Sequence, residues 1–354
     1  MSIELKNISK KVKGNLHIKE TSLSLGAGFF NVLLGETGAG KTSLIKLMAG
    51  LDSCATGQIL MDGEDVTDMS PQKRNISLVH QFFVNYPHMT VFENIASPLR
   101  VSGMPRSEIE GRVEDAANLL QLRPMLQRFP HELSGGQQQR TALARAIAKE
   151  SRAIFLDEPL ANLDYKLREE LREQLPELFS DRGTVVVYAT SEPEEALLLG
   201  GKTGLMHDGH VTQFGRTADI YRSPVNLTSA EVFSDPPINK ATVEKRGGDA
   251  FMAGGVQWKL PKRASGLADG FYIIGVRPND VLPTKSKDAN VKILGRITVT
   301  ELSGSQSSAH FSFADLNWVS LAHGVHPFGI GNDHAFYMDA SKCFFFSLEG
   351  QLVA

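Results

Sequence analysis

Short apolar runs alternate with segments of helical spacing in the N-terminal part of the chain. Residues 29–34 (FFNVLL) form an apolar run that ends at a glycine, and residues 43–49 (SLIKLMA) follow with helical spacing. Residues 153–156 and 184–190 are two further apolar runs, separated by the Leu-spaced segment 165–179. This alternation predicts an α/β fold, with a mainly parallel sheet and helices on its faces.

The pattern changes twice along the chain. Between about residues 82 and 150 it is mostly helical, which predicts a helical subdomain inserted into the sheet domain. Beyond residue 235 it consists of short alternating segments punctuated by Gly, Ser and Asn, which are typical of strands and turns. We therefore expect an α/β domain at residues 1–235 and a β-rich, barrel-like domain of the OB type at residues 236–354.

Length, charge and cysteine content limit the classes of protein to consider. The 354 residues exceed the roughly 250 to 300 at which a single core stops growing, which agrees with two domains. The net charge of -3 gives no electrostatic reason to expect a nucleic-acid partner. Cys54 and Cys343 form no C-x-x-C pair, as expected in a reducing cytosol. No apolar run reaches the ~18 residues of a membrane span, so we expect any membrane role to depend on a partner protein.

The sequence GETGAGKT at residues 35–42 lies between the first predicted strand and helix. Glycines at these spacings let backbone N–H groups turn inward and hold phosphate oxygens at a helix N-terminus. Lys41 would contact the β- and γ-phosphates, and the Thr42 hydroxyl would bind Mg²⁺. The residues predicted to bind nucleotide here are Gly35, Glu36, Thr37, Gly38, Ala39, Gly40, Lys41, Thr42 and Ser43.

Two further motifs complete the candidate chemistry. In IFLDEP, Asp157 follows an apolar strand, as expected of a carboxylate that orients Mg²⁺, and Glu158 is placed to polarise an attacking water. In LSGGQ, Ser134, Gly135 and Gly136 resemble a second anion-binding turn ahead of a helix at residues 138–149. This turn requires a second phosphate to bind.

The three motifs together resemble the nucleotide-binding subunit of an ATP-binding cassette (ABC) transporter. In that family two cassettes pack head to tail, and the LSGGQ signature of one closes over the γ-phosphate held by the other. The resemblance implies ATP and Mg²⁺ as cofactors, ATP hydrolysis, a second ATPase subunit and two transmembrane permease subunits. It assigns Gln137 with the rest of the signature to the nucleotide of the partner cassette.

Other segments resemble the sugar-importer branch of the family. Gln81 matches the residue that ligates Mg²⁺, takes part in catalysis and senses the permease, and Asp164 matches the D-loop residue directed at the opposite cassette. Residues 86–95, 234–241 and 273–281 resemble maltose-type and glycerol-phosphate-type importer ATPases. The resemblance implies import of a sugar, glycerol, another polyol or glycerol phosphate at the cytoplasmic face of the cell membrane, with a solute-binding protein as an indirect partner.

Two positions depart from the family pattern. Ser191 stands where the family has a histidine that contacts the γ-phosphate and helps to hold the attacking water. A simpler interpretation of Ser191 is a polar cap before a helix beginning at Pro193. Val12 stands where the family has an aromatic residue that stacks on adenine, and His17 is a nearby candidate to replace it.

These departures favour a hypothesis in which the chain's own pocket is impaired while its intact signature serves a partner. A heterodimer with a second, complete cassette would explain the asymmetry. Two alternatives remain open: an ordinary slow ATPase, and a regulatory or scaffold subunit that binds ATP but hydrolyses little of it. The imported solute cannot be determined from this chain, because selectivity belongs to the other subunits.

Overall fold

The chain divides into two compact units, Met1–Ile220 and Tyr221–Ala354. The computed structural model describes residues 1–82, 84–161, 163–180 and 183–354. The helices are α1 (Lys41–Ala49), α2 (Pro71–Arg74), α3 (Val91–Val101), α4 (Arg106–Leu119), α5 (Gly135–Ala148), α6 (Tyr165–Ser180), α7 (Pro193–Leu199), α8 (Thr217–Arg222) and α9 (Leu227–Val232).

The strands of the first unit form two sheets. They are β1 (Ser2–Val12), β2 (Asn15–Gly26), β3 (Phe30–Leu34), β4 (Thr56–Met61), β5 (Glu64–Asp65), β6 (Ile76–Val79), β7 (Ala153–Asp157), β8 (Val185–Thr190), β9 (Lys202–His207) and β10 (His210–Arg216). One sheet has the order β10-β9-β3-β8-β7-β6 and is parallel except for the β9–β10 pair. The other is antiparallel, with the order β2-β1-β4-β5.

The parallel sheet is built from the apolar runs seen in the sequence. Every residue of β3, β7 and β8 is buried, as expected for strands covered on both faces. α1 packs on this sheet through apolar residues such as Leu44 and Met48, which belong to the same core as Phe155. The predicted α/β fold is confirmed, and the ends of these strands position the candidate site.

The helical segment between β6 and β7 contains α3, α4 and α5. Thr90 caps α3, because its side chain accepts from the backbone N–H of Glu93 at 3.2 Å while the Glu93 carboxylate accepts from Thr90 N–H at 2.9 Å. The buried faces of the helices pack together through residues such as Ile95 and Val113. Among the described residues, no helix is both long and apolar enough to cross a membrane.

The second unit contains two antiparallel sheets. Its strands are β11 (Asn239–Arg246), β12 (Asp249–Met252), β13 (Val256–Lys259), β14 (Gly270–Val276), β15 (Val281–Leu282), β16 (Val291–Ser303), β17 (Gln306–Phe313), β18 (Leu316–His323), β19 (Asp333–Met338) and β20 (Phe344–Phe346). The sheet orders are β13-β12-β11-β14-β20 and β15-β19-β16-β17-β18. Residues of both sheets, including Ile274, Phe311 and Phe336, share one core, as the predicted barrel-like arrangement requires.

The division between the units falls earlier in the chain than residue 235. Ala230 of α9 packs with Phe344 and Phe346 of β20, and Leu227 lies against the same cluster. The guanidinium of Arg277 lies 3.7 Å from the ring centre of Tyr221. These contacts place residues 221–235 with the β-rich unit, because this segment packs on the apolar residues of β20.

Candidate nucleotide site

The candidate site lies at the carboxyl ends of three neighbouring parallel strands. β3 pairs with β8 so that Leu34 is opposite Thr190, and β7 pairs with β8 so that Asp157 is opposite Ala189. Gly35 N–H, the first group of the glycine-rich turn, donates to Thr190 O at 3.3 Å. The sheet register therefore brings the three predicted segments that follow these strands to one edge.

The backbone of the glycine-rich turn depends on its glycines. Gly38 and Gly40 have φ angles of 90° and 104°, in the left-handed region that side chains disfavour. At Gly35 an added Cβ would lie 2.3 Å from Met206 O, closer than atoms can approach. The residues of GETGAGKT thus provide the turn and the helix N-terminus that a phosphate site requires.

Lys41 is buried in this turn, with an exposed fraction of 4%. Its ammonium donates to Gly35 O at 2.6 Å and to Glu36 O at 3.1 Å, and lies 3.5 Å from a carboxylate oxygen of Glu158. Burial lowers the pKa of Lys41, and the nearby Glu158 carboxylate opposes that shift. The lysine is thus held between the turn and the acidic pair.

Thr42 and Asp157 bring two oxygen ligands together. The Thr42 hydroxyl donates to Asp157 Oδ1 at 3.1 Å. Burial raises the pKa of Asp157, and the hydrogen bond from Thr42 opposes the shift. Hydroxyl and carboxylate oxygens are ligands that suit Mg²⁺, which usually also keeps waters and substrate phosphates in its shell. No cluster of three or more His, Cys, Asp or Glu residues suited to a metal occurs in the described part of the chain.

Glu158 has an uncommon backbone conformation for a residue with a side chain. Its φ is 48°, which costs on the order of 1 to 3 kcal/mol unless the surroundings impose it. Its N–H donates to Ala189 O at 3.0 Å, and one carboxylate oxygen accepts from Gln81 Nε2 at 3.0 Å. Since Lys41 approaches the other oxygen at 3.5 Å, the carboxylate is fixed from both sides.

The signature forms the first turn of α5. The Ser134 hydroxyl accepts from Gln137 N–H at 3.3 Å, and Ser134 N–H donates to Gln137 Oε1 at 3.0 Å. Ser134 and Gly135 are exposed, and Gly136 is half-buried. Farther along the helix, Gln139 Nε2 donates to Pro159 O at 2.6 Å. The signature helix is thereby connected to the segment that carries Glu158.

The flank that is predicted to face the nucleotide base, called the base-facing flank, is an antiparallel hairpin of β1 and β2. Val12 ends β1 with an exposed fraction of 43%. His17 lies on β2, and its Nε2 is 2.9 Å from Ser43 Oγ at the start of α1. His17 therefore contacts the helix that follows the glycine-rich turn.

A tight turn connects the same hairpin to the glycine-rich turn. Gly209, between β9 and β10, donates its N–H to Ala39 O at 3.0 Å and accepts from Lys19 N–H at 2.8 Å. Its φ is 70°, and an added Cβ would lie 2.2 Å from His17 O. Only glycine fits between the two segments.

Ser191 follows β8 and is exposed. The alternative interpretation of Ser191 as a helix cap is wrong, because the cap of α7 is Glu192 and its side chain makes no capping hydrogen bond. Asp164 caps a different helix, α6, since its Oδ1 accepts from Leu167 N–H at 3.0 Å. Asn162, in the same motif as Asp164, lies outside the described residues.

An ion-pair network that was not predicted from the sequence includes Glu192, the residue after Ser191. Arg172 of α6, which is 5% exposed, pairs with Glu192 at 2.5 Å and with the buried Glu195 at 3.1 Å. Arg168, one helical turn earlier, pairs with Glu192 at 3.0 Å. The acidic and basic residues of α6 have the pattern of a solvated helix face, so the burial of Arg172 could not be predicted from the sequence.

Comparison with known proteins agrees with these motifs. A family model described as "ABC transporter" matches residues 18–161. The chain is 32% identical over 359 residues to the ABC transporter ATP-binding protein YcjV of Escherichia coli O6:K15:H31, covering 99% of this chain and 98% of YcjV. It is 34% identical to UgpC of Cupriavidus pinatubonensis, an sn-glycerol-3-phosphate import ATP-binding protein, covering 88% of this chain and 87% of UgpC.

Other relatives extend the comparison. The spermidine/putrescine import ATP-binding protein PotA of Haemophilus influenzae is 38% identical, covering 73% of this chain and 69% of PotA. Among solved structures, a dimeric post-hydrolysis state of the ATP-binding cassette MJ0796, bound to ADP and Pi, matches with a TM-score of 0.56 and 28% identity. It covers 61% of this chain and 98% of the cassette. The chain therefore belongs to the ATP-binding proteins of the ABC transporter family and is an ABC-type ATPase.

Proposed function

We propose that the chain is the ATPase subunit of an importer of a sugar, a polyol or glycerol phosphate, attached to the cytoplasmic face of the cell membrane through permease subunits. The observation that carries the proposal is the similarity to UgpC, which extends over 88% of this chain and so includes most of the β-rich unit. The similarity to PotA favours a wider range of solutes, so import of a different small solute is the second candidate.

The phosphate end of the site consists of Lys41, Thr42, Gln81, Asp157 and Glu158. Its geometry supports hydrolysis in this chain's own pocket. Lys41 would hold the β- and γ-phosphates, and Mg²⁺ would be bound by Thr42, Asp157 and Gln81 and would supply positive charge beside those phosphates. Glu158 would orient and polarise the attacking water, because its carboxylate is fixed between Lys41 and Gln81. Each of these groups already lies within hydrogen-bonding or ion-pair reach of another member of the set.

Two flanks of the pocket depart from the family pattern: the strand-end flank at Ser191 and the base-facing flank at Val12. These departures support pairing with a second ATPase subunit. Ser191 has no imidazole to offer the γ-phosphate, and Val12 has no aromatic face to offer adenine. The signature residues and Asp164, in contrast, match the family, and would complete the pocket of a partner cassette. We therefore favour a heterodimer whose other subunit carries a complete pocket.

An exposed apolar segment supports contact with a permease. Phe82, the residue after Gln81, is 76% exposed, and Val84 and Tyr86 are 63% and 48% exposed. The guanidinium of Arg145 lies 5.1 Å from the ring centre of Tyr86. Because Gln81 bonds to Glu158, a permease segment seated on these side chains would act close to the catalytic carboxylate.

The test compares ATP turnover by the chain alone with turnover by a complex containing a second ATPase subunit, the permeases and a solute-binding protein in vesicles. We expect slow hydrolysis by the chain alone and faster, solute-stimulated hydrolysis in the complex, with uptake of a sugar, polyol or glycerol phosphate. Brisk cooperative hydrolysis by the isolated homodimer would contradict the heterodimer. ATP-driven uptake of polyamines alone would favour the second candidate.

A regulatory or scaffold role is the rival explanation for the substitutions at Ser191 and Val12. It predicts that the complex still transports when Lys41 of this chain is replaced by alanine, because the partner's pocket would do the work. Our proposal predicts a large loss of transport in the same variant. An unchanged melting temperature of the Lys41→Ala variant serves as the control for folding.

A further inference from the structure

We propose that Arg168 is a positioning residue that couples the segment after Glu158 to the segment that carries Ser191. Arg168 lies in the first turn of α6, four residues after Asp164 in the continuation of the D-loop motif. The inference concerns ATP hydrolysis by this chain, and the direction in which the coupling acts rests on the proposed function, in which Asp164 faces a partner cassette.

The side chain of Arg168 bridges two segments of the site. Nη2 donates to Ala161 O at 3.0 Å, and Nη1 donates to Glu192 Oε1 at 3.0 Å. Ala161 is three residues after Glu158, and its N–H donates to Glu158 O at 3.4 Å. One planar guanidinium therefore joins the D-loop segment (residues 160–164) to the residue directly after Ser191, a geometry that arginine alone among side chains provides.

The other end of the bridge is firmly held. The second carboxylate oxygen of Glu192 accepts from Arg172 at 2.5 Å, and Glu192 N–H donates to Thr190 Oγ1 at 3.0 Å. The Thr190 hydroxyl in turn donates to Glu195 Oε2 at 2.6 Å, which also accepts from Tyr188 OH at 3.0 Å. Thr190 is held by β8 and by its hydrogen bond to Glu195, so a shift of Glu192 relative to Thr190 would reorient Ser191 without requiring the sheet to move.

The two arginines of this network differ in burial. Arg172 is 5% exposed and pairs with the buried Glu195, which is the arrangement of a structural ion pair whose loss destabilises the fold. Arg168 is 22% exposed and bonds to a loop carbonyl on one side. Breaking the Arg168 bridge is therefore expected to affect the position of the two segments more than the stability of the unit.

Asp164 is the residue through which a partner cassette would act on the Arg168 bridge. Asp164 is exposed, and its carbonyl accepts from Arg168 N–H at 3.0 Å while its carboxylate caps α6. A partner cassette that contacts Asp164 would move the start of α6, and Arg168 would transmit that movement to Ser191 through Glu192. The state of the partner's pocket would thereby influence hydrolysis in this one.

The experiment uses Arg168→Gln, Glu192→Gln and the double variant in the full chain. Lys166→Gln is the matched control, because it removes one positive charge from the same helix at a side chain that is 88% exposed. Arg168→Lys is included because lysine keeps the charge and lacks the planar fork, so we expect it to recover only part of the activity.

The first readout is hydrogen exchange of the backbone amides of Ala161, Leu163, Ser191 and Glu192 in the chain alone. We expect faster exchange at both segments in Arg168→Gln, since each loses one anchor, and no change in Lys166→Gln. Because this measurement needs neither hydrolysis nor partners, it tests whether Arg168 holds the two segments even if the importer function proves wrong. Unchanged exchange at either segment would overturn the inference.

The second readout is ATP turnover in the complex with the second ATPase subunit. For Arg168→Gln and for Glu192→Gln we expect kcat to fall about tenfold with KM changed little, and the double variant to be no worse than either single one, as for residues in one network. Additive losses, an unchanged kcat, or losses that merely follow a lower melting temperature would each overturn the positioning role. If the unmodified complex hydrolysed no ATP, the proposed importer function would fail instead.

Discussion

The phosphate end of the site and its two flanks differ in how strongly their side chains are held. At the phosphate end, Lys41 pairs with Glu158 and Thr42 bonds to Asp157, and both Lys41 and Asp157 are buried. At the flanks, Val12 is 43% exposed and Ser191 is exposed as well. The departures from the family pattern thus occur where a side chain can change without disturbing the core. They are expected to change the chemistry of the pocket and to leave the fold intact.

The largest effect expected is at the phosphate end. Glu158→Gln keeps the size of the side chain and its hydrogen bond to Gln81, but an amide cannot take up a proton from water. We expect kcat for ATP hydrolysis to fall by roughly 10² to 10⁴-fold with ATP affinity little changed. Single-turnover hydrolysis and an ATP titration measure the two quantities.

Glu194→Gln is the control for this change, because Glu194 is an exposed acidic residue on α7 to which no role in the site is assigned. Its variant should hydrolyse ATP at nearly the unmodified rate. If Glu158→Gln also retained its activity, another group would have to polarise the water, and the contrast between the phosphate end and the flanks would lose its basis.

A smaller effect, and an increase in the rate of ATP hydrolysis, is expected at the strand-end flank, where Ser191 lies. Ser191→His restores an imidazole beside the γ-phosphate site, and because Thr190 and Glu192 are fixed, the new side chain starts from a defined backbone. We expect the single-turnover rate to rise up to about 10²-fold, with the melting temperature unchanged at an exposed position. Ser191→Ala tests whether the serine hydroxyl contributes. An unchanged rate in Ser191→His would show that this position does not limit hydrolysis.

The smallest effect is expected at the base-facing flank. Val12→Tyr supplies an aromatic face, and stacking of a base on an aromatic side chain contributes about 1 to 3 kcal/mol, so ATP should bind roughly tenfold more tightly. Calorimetric titration with ATP measures the gain, and tripolyphosphate, which has no base, should bind as before. Leu16→Tyr, at another exposed position of the same hairpin, is the matched control. Equal gains in both variants would place the adenine elsewhere, with His17 as the next candidate.

The sequence predicted the parts of the site that depend on local chemistry. The strand, turn and helix around GETGAGKT follow from glycine spacing and apolar periodicity, and the structure has β3 and α1 there. The acidic pair was placed at a strand end because Asp157 closes an apolar run, and the register with Ala189 confirms that position. These features need only neighbouring residues to be specified.

The sequence did not predict features that depend on residues far apart in the chain. The bridge from Ala161 through Arg168 to Glu192 joins α6 to the end of β8, and charged residues on α6 have the pattern of an ordinary solvated face. The left-handed conformation of Glu158 occurs where its N–H donates to Ala189 O on the neighbouring strand, a partner 31 residues away in the chain. The assignment of α9 to the β-rich unit was missed for the same reason, since its apolar partners lie on β20.

The turn at Gly209 has a consequence for protein engineering. Hairpin turns at a surface are usual places to insert a tag or a reporter domain. Here the turn residue bonds to Ala39 on one side and to Lys19 on the other. A reporter inserted between Asp208 and Gly209 would separate the glycine-rich turn from the base-facing hairpin. We expect such an insertion to weaken ATP binding more than it lowers the melting temperature.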